Sequence, residues 1–201
     1  MKRLLSTLLL IISIHTTHAQ FGENHAIYTT GGLNFGNYFG INANIDYAYQ
    51  EKFSFKIGYS VYFQEPDSKP DDFSLGLFDG LSFGLVGPYN HLESYQVMAG
   101  RIYKFNPSGT IRLNMSVGLG LTKIKEPTNW QQINGSLFTR NYIWDYNEHN
   151  TISFIINPKI EFPFTRYYGL TISPILQINK DRTYFGIGVE QMIGLLRKRN
   201  K

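Results

Sequence analysis

Apolar and polar residues alternate along this chain with a period of two, most cleanly in "FGINANIDYAYQ", residues 39–50. The odd positions are Phe39, Ile41, Ala43, Ile45, Tyr47 and Tyr49; the even ones are Gly40, Asn42, Asn44, Asp46, Ala48 and Gln50. Successive side chains of a strand point to opposite faces, so this stretch predicts a β-strand with one apolar face and one small or polar face. The pattern recurs and predicts eight strands, near residues 25–36, 39–50, 53–63, 92–105, 110–122, 151–164, 168–179 and 182–196. In the third, Phe53, Phe55, Ile57, Tyr59, Val61 and Phe63 oppose Ser54, Lys56, Gly58, Ser60 and Tyr62.

The connections predict how the strands are joined. Short links follow the second, fourth and sixth strands, and long links follow the third (64–91) and the fifth (125–150). Both long links therefore fall on one end of an antiparallel, up-and-down meander. In the first, "FSLGLFDGLSFGLVG" (residues 73–87) is too apolar for a free loop. It predicts a hairpin at Asp79 and Gly80 capping the mouth, or two further strands making ten. In the second, Asn134 and Gly135 predict a two-residue hairpin turn. Strands five and six would then extend as a protruding hairpin carrying Trp130, Tyr142, Trp144 and Tyr146.

Which face meets water follows from volume. Eight strands enclose a space just wide enough for side chains. About five large apolar groups per strand would overfill it, and the outside would be left with Gly, Ser and Asn. The inverted arrangement fits: Phe39, Ile41, Ile45 and Tyr47 face lipid, while Asn42, Asn44 and Asp46 face the lumen. On that reading Ile45→Asp damages assembly and Asn44→Ser is nearly silent. Aromatic residues of the apolar parity cluster at both strand ends. Tyr47, Tyr49, Phe53, Phe55, Tyr103, Phe105, Phe162, Phe164 and Tyr168 lie toward the short turns; Phe35, Phe39, Phe63 and Phe185 lie toward the long loops. Such belts are the girdles of a transmembrane barrel. A charged content of 17%, against the usual ~25% of soluble chains, points the same way. The rival reading, a soluble periplasmic lipocalin-like carrier, requires the Phe39, Ile41 and Ile45 parity to line a cavity.

The first residues add a destination. Lys2 and Arg3 precede an apolar run over residues 4–14 and a polar stretch ending Thr17, His18, Ala19. This is the pattern of a signal peptide for Sec export, residues 1–19, cleaved before Gln20. Without Lys2 and Arg3 the 19 basic residues fall to 17, against 15 acidic ones, so the basic pI is no argument for nucleic acid. The chain has no Cys and hence no disulfide or thiolate metal site. From signal peptide to last strand, with its "HAQ" cleavage site and its last hairpin "NKDRTYFGIGVEQMIG" (179–194), the chain resembles the small eight-stranded outer-membrane β-barrel proteins, particularly those of Bacteroidota-type bacteria. The resemblance implies an all-β transmembrane barrel over residues 20–196, in the outer membrane of a Gram-negative cell. It also implies short periplasmic turns, long outer loops, and contact with outer-membrane lipid, lipopolysaccharide and the barrel-assembly machinery. One departure is the end: such barrels often finish on an aromatic residue, whereas this one continues into "RKRNK", with 197–201 read as a basic periplasmic tail.

Candidate chemistry is sparse. The lumen parity carries Asp46, Lys56, Lys104, Arg112, Lys159, Glu161 and Glu190, which must pair because unpaired buried charge is costly. They predict an ion-pair network that plugs the lumen, and with eight strands a porin-like fold without porin conduction. His91 and His149, with Asp145, fall in the long loops, and a lipid-modifying enzyme at the outer rim would need them to converge. No HExxH or GxSxG spacing is present, nor the His-x-Ser-Asn pattern of lipid-A-deacylating barrels. No metal or cofactor is expected. Trp130, Trp144, Tyr142 and Tyr146 are the candidates for an extracellular glycan or protein ligand, and Lys123, Lys125 and Arg140 for phosphates of the outer leaflet. Two local rules are broken. Arg101 falls on the lipid parity, tolerable near an interface or if a bulge at Ala99 and Gly100 re-aims it. Pro158 and Pro174 interrupt mid-strand ladders, and a turn centred on Arg166 would set them opposite each other. The expected function is therefore that of a non-enzymatic envelope or binding protein acting through its outer loops.

Overall fold

The alternating segments form strands because each offers one row of bulky side chains and one row small enough to pack inside a narrow barrel. The computed structural model describes residues 25–77, 87–135 and 138–197. The signal peptide, the capping hairpin at Asp79 and Gly80, and the tail beyond Arg197 lie outside the described residues. The strands are β1 (His25–Gly36), β2 (Phe39–Tyr49), β3 (Phe53–Gln64), β4 (Asn90–Lys104), β5 (Arg112–Gln132), β6 (Tyr142–Phe162), β7 (Tyr168–Ile178) and β8 (Thr183–Leu195). Each pairs antiparallel with its neighbours in chain order, and β8 returns to β1, closing the barrel.

The ten-strand alternative is overturned. β3 pairs directly with β4, from Phe53 opposite Arg101 to Gln64 opposite Asn90. The two strands satisfy each other's backbone groups along that length, so no edge remains for an inserted strand.

The short turns share one end. After β2, Gln50 and Glu51 both have positive φ, and Lys52 N donates to Tyr49 O at 3.0 Å, the geometry of a two-residue hairpin turn. Gly109 closes the β4–β5 turn at φ +64°, a conformation that suits glycine. At the other end β5 and β6 run far past the rest of the wall, as the parity of Trp144 and Tyr146 predicts. The turn between them differs from expectation. The register ends at Gln132 opposite Tyr142, and Ile133 N donates to Asn141 O, so the connection is a longer loop. Neither Asn134 nor Gly135 has the positive φ that a two-residue turn demands. A register shift between Thr128 and Gln131, with Asn129 at φ +52°, inserts a bulge into β5.

Burial is inside out. Phe39, Ile41, Ile45, Ile57, Val97 and Leu121 are exposed, whereas Asn44, Asp46, Lys56, Arg112, Lys159 and Glu190 are buried. The carrier reading is thereby overturned, because the Phe39, Ile41 and Ile45 parity faces outward and lines no interior. A girdle of exposed Ile, Val, Leu and Phe needs a hydrocarbon solvent. Arg101 keeps its outward parity with no bulge at Ala99 or Gly100, and its guanidinium lies 5.5 Å from the Tyr103 ring near the short-turn rim. The β6–β7 ladder is paired at 154–156 and at 160–162 but not between. In that gap Pro158 stands opposite Pro174, as the turn position implies.

Candidate functional site

Among the described residues, three groups of side chains outside the ordinary wall contacts have defined geometry: the lumen network, the outer rim, and the protruding ribbon with the loop packed on it.

In the lumen, strand parity gives all seven sequence candidates the inward side; six of them are buried, and closure brings these to one another across the interior. Glu161 accepts from Arg112 Nε, from Asn114 Nδ2 at 3.0 Å and from the Tyr28 hydroxyl at 3.2 Å. Arg112 also donates to Leu196 O at 2.8 Å and lies over the Tyr28 ring. Lys159 Nζ donates to Glu190 Oε2 at 2.6 Å and to Thr30 Oγ1 at 3.2 Å. Thr30 in turn donates to Asp46 Oδ2 at 2.8 Å. Asp46 and Lys56 are directly opposite in register, yet they form no ion pair among the described residues. Lys56 instead reaches Asn157 Oδ1 at 2.6 Å. Lys104 departs from the expected network: the last residue of β4, opposite Arg112 in the register, it is exposed at the rim and pairs with Glu51 of the β2–β3 turn. Bridging polar residues that sequence reasoning passed over (Tyr28, Thr30, Asn114, Asn157, Gln96) join the charges. Their signal was lumen parity alone.

Apolar clusters flank this layer. Tyr38, Tyr62, Leu92, Ile124 and Tyr184 fill the interior toward the long loops; Ala26, Ala48, Ile102 and Leu196 fill it toward the short turns. Tyr62 and Tyr184 stack at 3.8 Å. Gly40 makes room for them, since a Cβ there would meet Tyr62 Cδ1 at 2.2 Å.

At the rim the three catalytic candidates stay apart. His91 faces outward between the rings of Phe63 and Tyr146, at 5.0 and 5.7 Å. His149 has the inward parity and meets Asp181 at 3.3 Å. Asp145 accepts from Asn129. The convergence that a rim enzyme needs is absent, because the two histidines occupy opposite faces of the wall. Lys123 and Lys125 are also committed: Lys123 pairs with Glu148 at 2.5 Å and Lys125 with Glu93 at 2.6 Å. The hydrogen bond from Lys123 holds the Glu148 carboxyl below its ordinary range, and the Glu93 carboxylate raises Lys125.

On the ribbon, Trp130, Tyr142 and Trp144 do converge, but on a residue of this chain. Phe73 from the β3–β4 loop packs against all three, with ring centroids at 5.8, 6.3 and 6.0 Å. Asp72 accepts from the Tyr142 hydroxyl at 2.8 Å, and its carbonyl accepts from Asn141 at 2.7 Å. Arg140 stacks over Trp144. Tyr146 stands apart, on His91. The aromatics thus fasten the long loop to the ribbon, and the loop roofs a polar recess between β4, β5 and the β7–β8 turn, lined by Asp67, Asn90, Glu126, Trp130 and Arg182. Sequence reading missed this recess, since its residues come from four separate segments.

No family model and no curated protein matches the chain. Solved structures do. The chain is similar to Ail, the attachment invasion locus protein of Yersinia pestis, at 12% identity and TM-score 0.51, over 86% of this chain and 98% of that one. It is equally similar to the N-terminal β-barrel domain of OprF from Pseudomonas aeruginosa, at 16% identity and TM-score 0.51, over 86% and 97%. A further structure of the Yersinia protein, at 12% identity, TM-score 0.50 and coverage of 86% and 98%, is its complex with the heparin analogue sucrose octasulfate. At these identities the likeness is one of fold: the chain has the closed, eight-stranded, up-and-down architecture of outer-membrane β-barrels.

Proposed function

We propose that the chain is an integral protein of a Gram-negative outer membrane, exported with cleavage before Gln20, and that it serves as a non-enzymatic envelope protein acting through its outer loops. The observation that carries this reading is the contrast between the two parts of the barrel. The lumen is packed with buried, mutually bonded side chains, which supports a plugged interior. The long-loop end is built outward as a ribbon with a loop fastened to it by Phe73 and Asp72. A loop so anchored is a preorganised surface, and preorganisation is what binding surfaces need. The fold likeness to outer-membrane barrels supports the location. Lipid and lipopolysaccharide surround the wall on this reading, and the partner in front of the ribbon is a glycan or a protein.

The test is surface display. A short epitope inserted between Asn134 and Gly135 is expected to be labelled by antibody on intact cells, with the purified chain showing heat-modifiable gel mobility. An epitope reached only after cell lysis, or extraction of the chain without detergent, overturns the proposal.

A further inference from the structure

The recess under the β3–β4 loop has a volume of about 420 Å³, within the range of small-molecule sites. Two hydrogen bonds hold its roof: Ser68 Oγ to the Pro127 carbonyl at 3.3 Å, and Trp130 Nε1 to Ser68 Oγ at 3.4 Å. At its base is Asn90, the first residue of β4, only 6% exposed. Its carboxamide has two donor hydrogens and an acceptor oxygen, and none has a partner among the described residues. Asn90 lines a recess large enough for a ligand, and no side-chain hydrogen bond within the described residues occupies its amide.

The remaining lining narrows the chemistry. Arg182 donates through both Nε and Nη2 to a single Glu126 oxygen, so the second carboxylate oxygen and Nη1 have no partner among the described residues. Trp130 contributes an indole wall, and Asp67 a second carboxylate. Two carboxylates against one guanidinium leave the recess net negative, which disfavours sulfated, phosphorylated or carboxylated ligands. Donors and acceptors side by side, next to an indole, suit a molecule with hydroxyls around its rim and a C–H face: a pyranose. We propose that this recess binds a neutral saccharide unit of a surface glycan, with Asn90 hydrogen-bonded to its hydroxyls and Trp130 against its ring face. The inference rests on the reading that the outer loops carry the function, and it specifies their ligand class.

Trp130 and Trp144 are the only two tryptophans, so intrinsic fluorescence of the folded full chain in micelles reports on this end alone. The probes are an array of neutral oligosaccharides, bacterial-core and mammalian types spotted separately, with sucrose octasulfate as the polyanionic comparison. At least one neutral glycan is expected to bind and to shift the emission saturably. Asn90→Leu, which removes a group without internal partners, is expected to weaken that binding roughly tenfold or more while heat-modifiable mobility is kept. Arg182→Lys gives a second variant should Asn90→Leu fail to fold. Absence of any neutral binder, stronger binding of sucrose octasulfate, or undiminished binding by a folded variant overturns the proposal. With the Asn134 epitope labelled on intact cells, those outcomes sink the saccharide assignment alone; an unlabelled epitope sinks the loop reading beneath it.

Discussion

Among the described residues, Lys159 has a single ion-pair partner in the lumen, Glu190. Its ammonium is buried and bonded to Glu190 and Thr30, so Glu190→Gln leaves a positive charge in a closed interior. Breaking one side of such a pair costs about 3–5 kcal/mol, whereas replacing both members by apolar groups of similar volume is often near neutral. Urea unfolding in lipid vesicles, followed by loss of the heat-modifiable folded band, is expected to show a large loss for Glu190→Gln and a much smaller one for Lys159→Met with Glu190→Leu. Equal losses would contradict the pairing. The sequence expectation for Asn44 needs correction at this scale. Its amide donates to Thr30 at 3.1 Å and accepts from Gln96 at 3.0 Å, so Asn44→Ser breaks two buried contacts and is expected to cost about 1–3 kcal/mol. Ile45→Asp, on the outward face beside it, places a carboxylate in hydrocarbon. It is expected to reduce the heat-modifiable folded band where Asn44→Ser leaves the band in place at lower stability.

Two elements depart from regular barrel wall, and each has its own observable. The β6–β7 seam lacks ladder bonds around Pro158 and Pro174, since proline carries no amide hydrogen. Asn157 patches it, donating to Ser173 Oγ at 2.7 Å and to Pro174 O at 2.8 Å. Asn157→Ala should speed amide exchange at Ile156 and Leu176 while leaving the β1–β2 pair unchanged; uniform exchange across both seams would count against the patch. The base of the ribbon rests on exposed ion pairs, each worth little alone. Because the Glu148 carboxyl titrates below its ordinary range, its pairing with Lys123 is complete above that range and is lost as pH falls through the lowered value. Protection at the Lys123 and Asn150 amides, taken relative to the intrinsic exchange rate at each pH, should therefore fall on acidification, and Glu148→Gln should flatten that dependence.

For the molecule as a whole, closure leaves the wall without an edge, only the protruding β5–β6 ribbon keeping free sides, and the apolar girdle requires a membrane. On the proposed plugged-lumen reading, Tyr62, Tyr184, Arg112 and Lys159, all buried in the interior, leave an eight-stranded barrel no aqueous path. Planar bilayers containing the purified chain are expected to show no stepwise conductance, and steady single-channel openings would refute the packed lumen. What the molecule offers to its surroundings is then its girdle to lipid and its fastened ribbon to solvent.

Strands, their facing and the end bearing the long loops were legible in the residues because a period of two is local: Ile45 and Asp46 point apart whatever else the chain does. Lumen membership followed from the same parity, and Lys104 escaped only because parity says nothing of where the wall stops. The pairing inside was not legible. Asp46 and Lys56 are register neighbours, yet Lys56 bonds to Asn157 across the lumen, a contact set by the closure and stagger of the whole sheet. The loop between Gln132 and Tyr142 likewise followed the β5 bulge and the grip of Asp72 and Phe73, against the local preference of Asn134 and Gly135. The recess beneath Ser68 exists only because four segments distant in sequence meet at one rim. Local alternation determined the wall and its orientation; the closed sheet alone decided which side chains touch, because those contacts span the barrel and no short stretch encodes them.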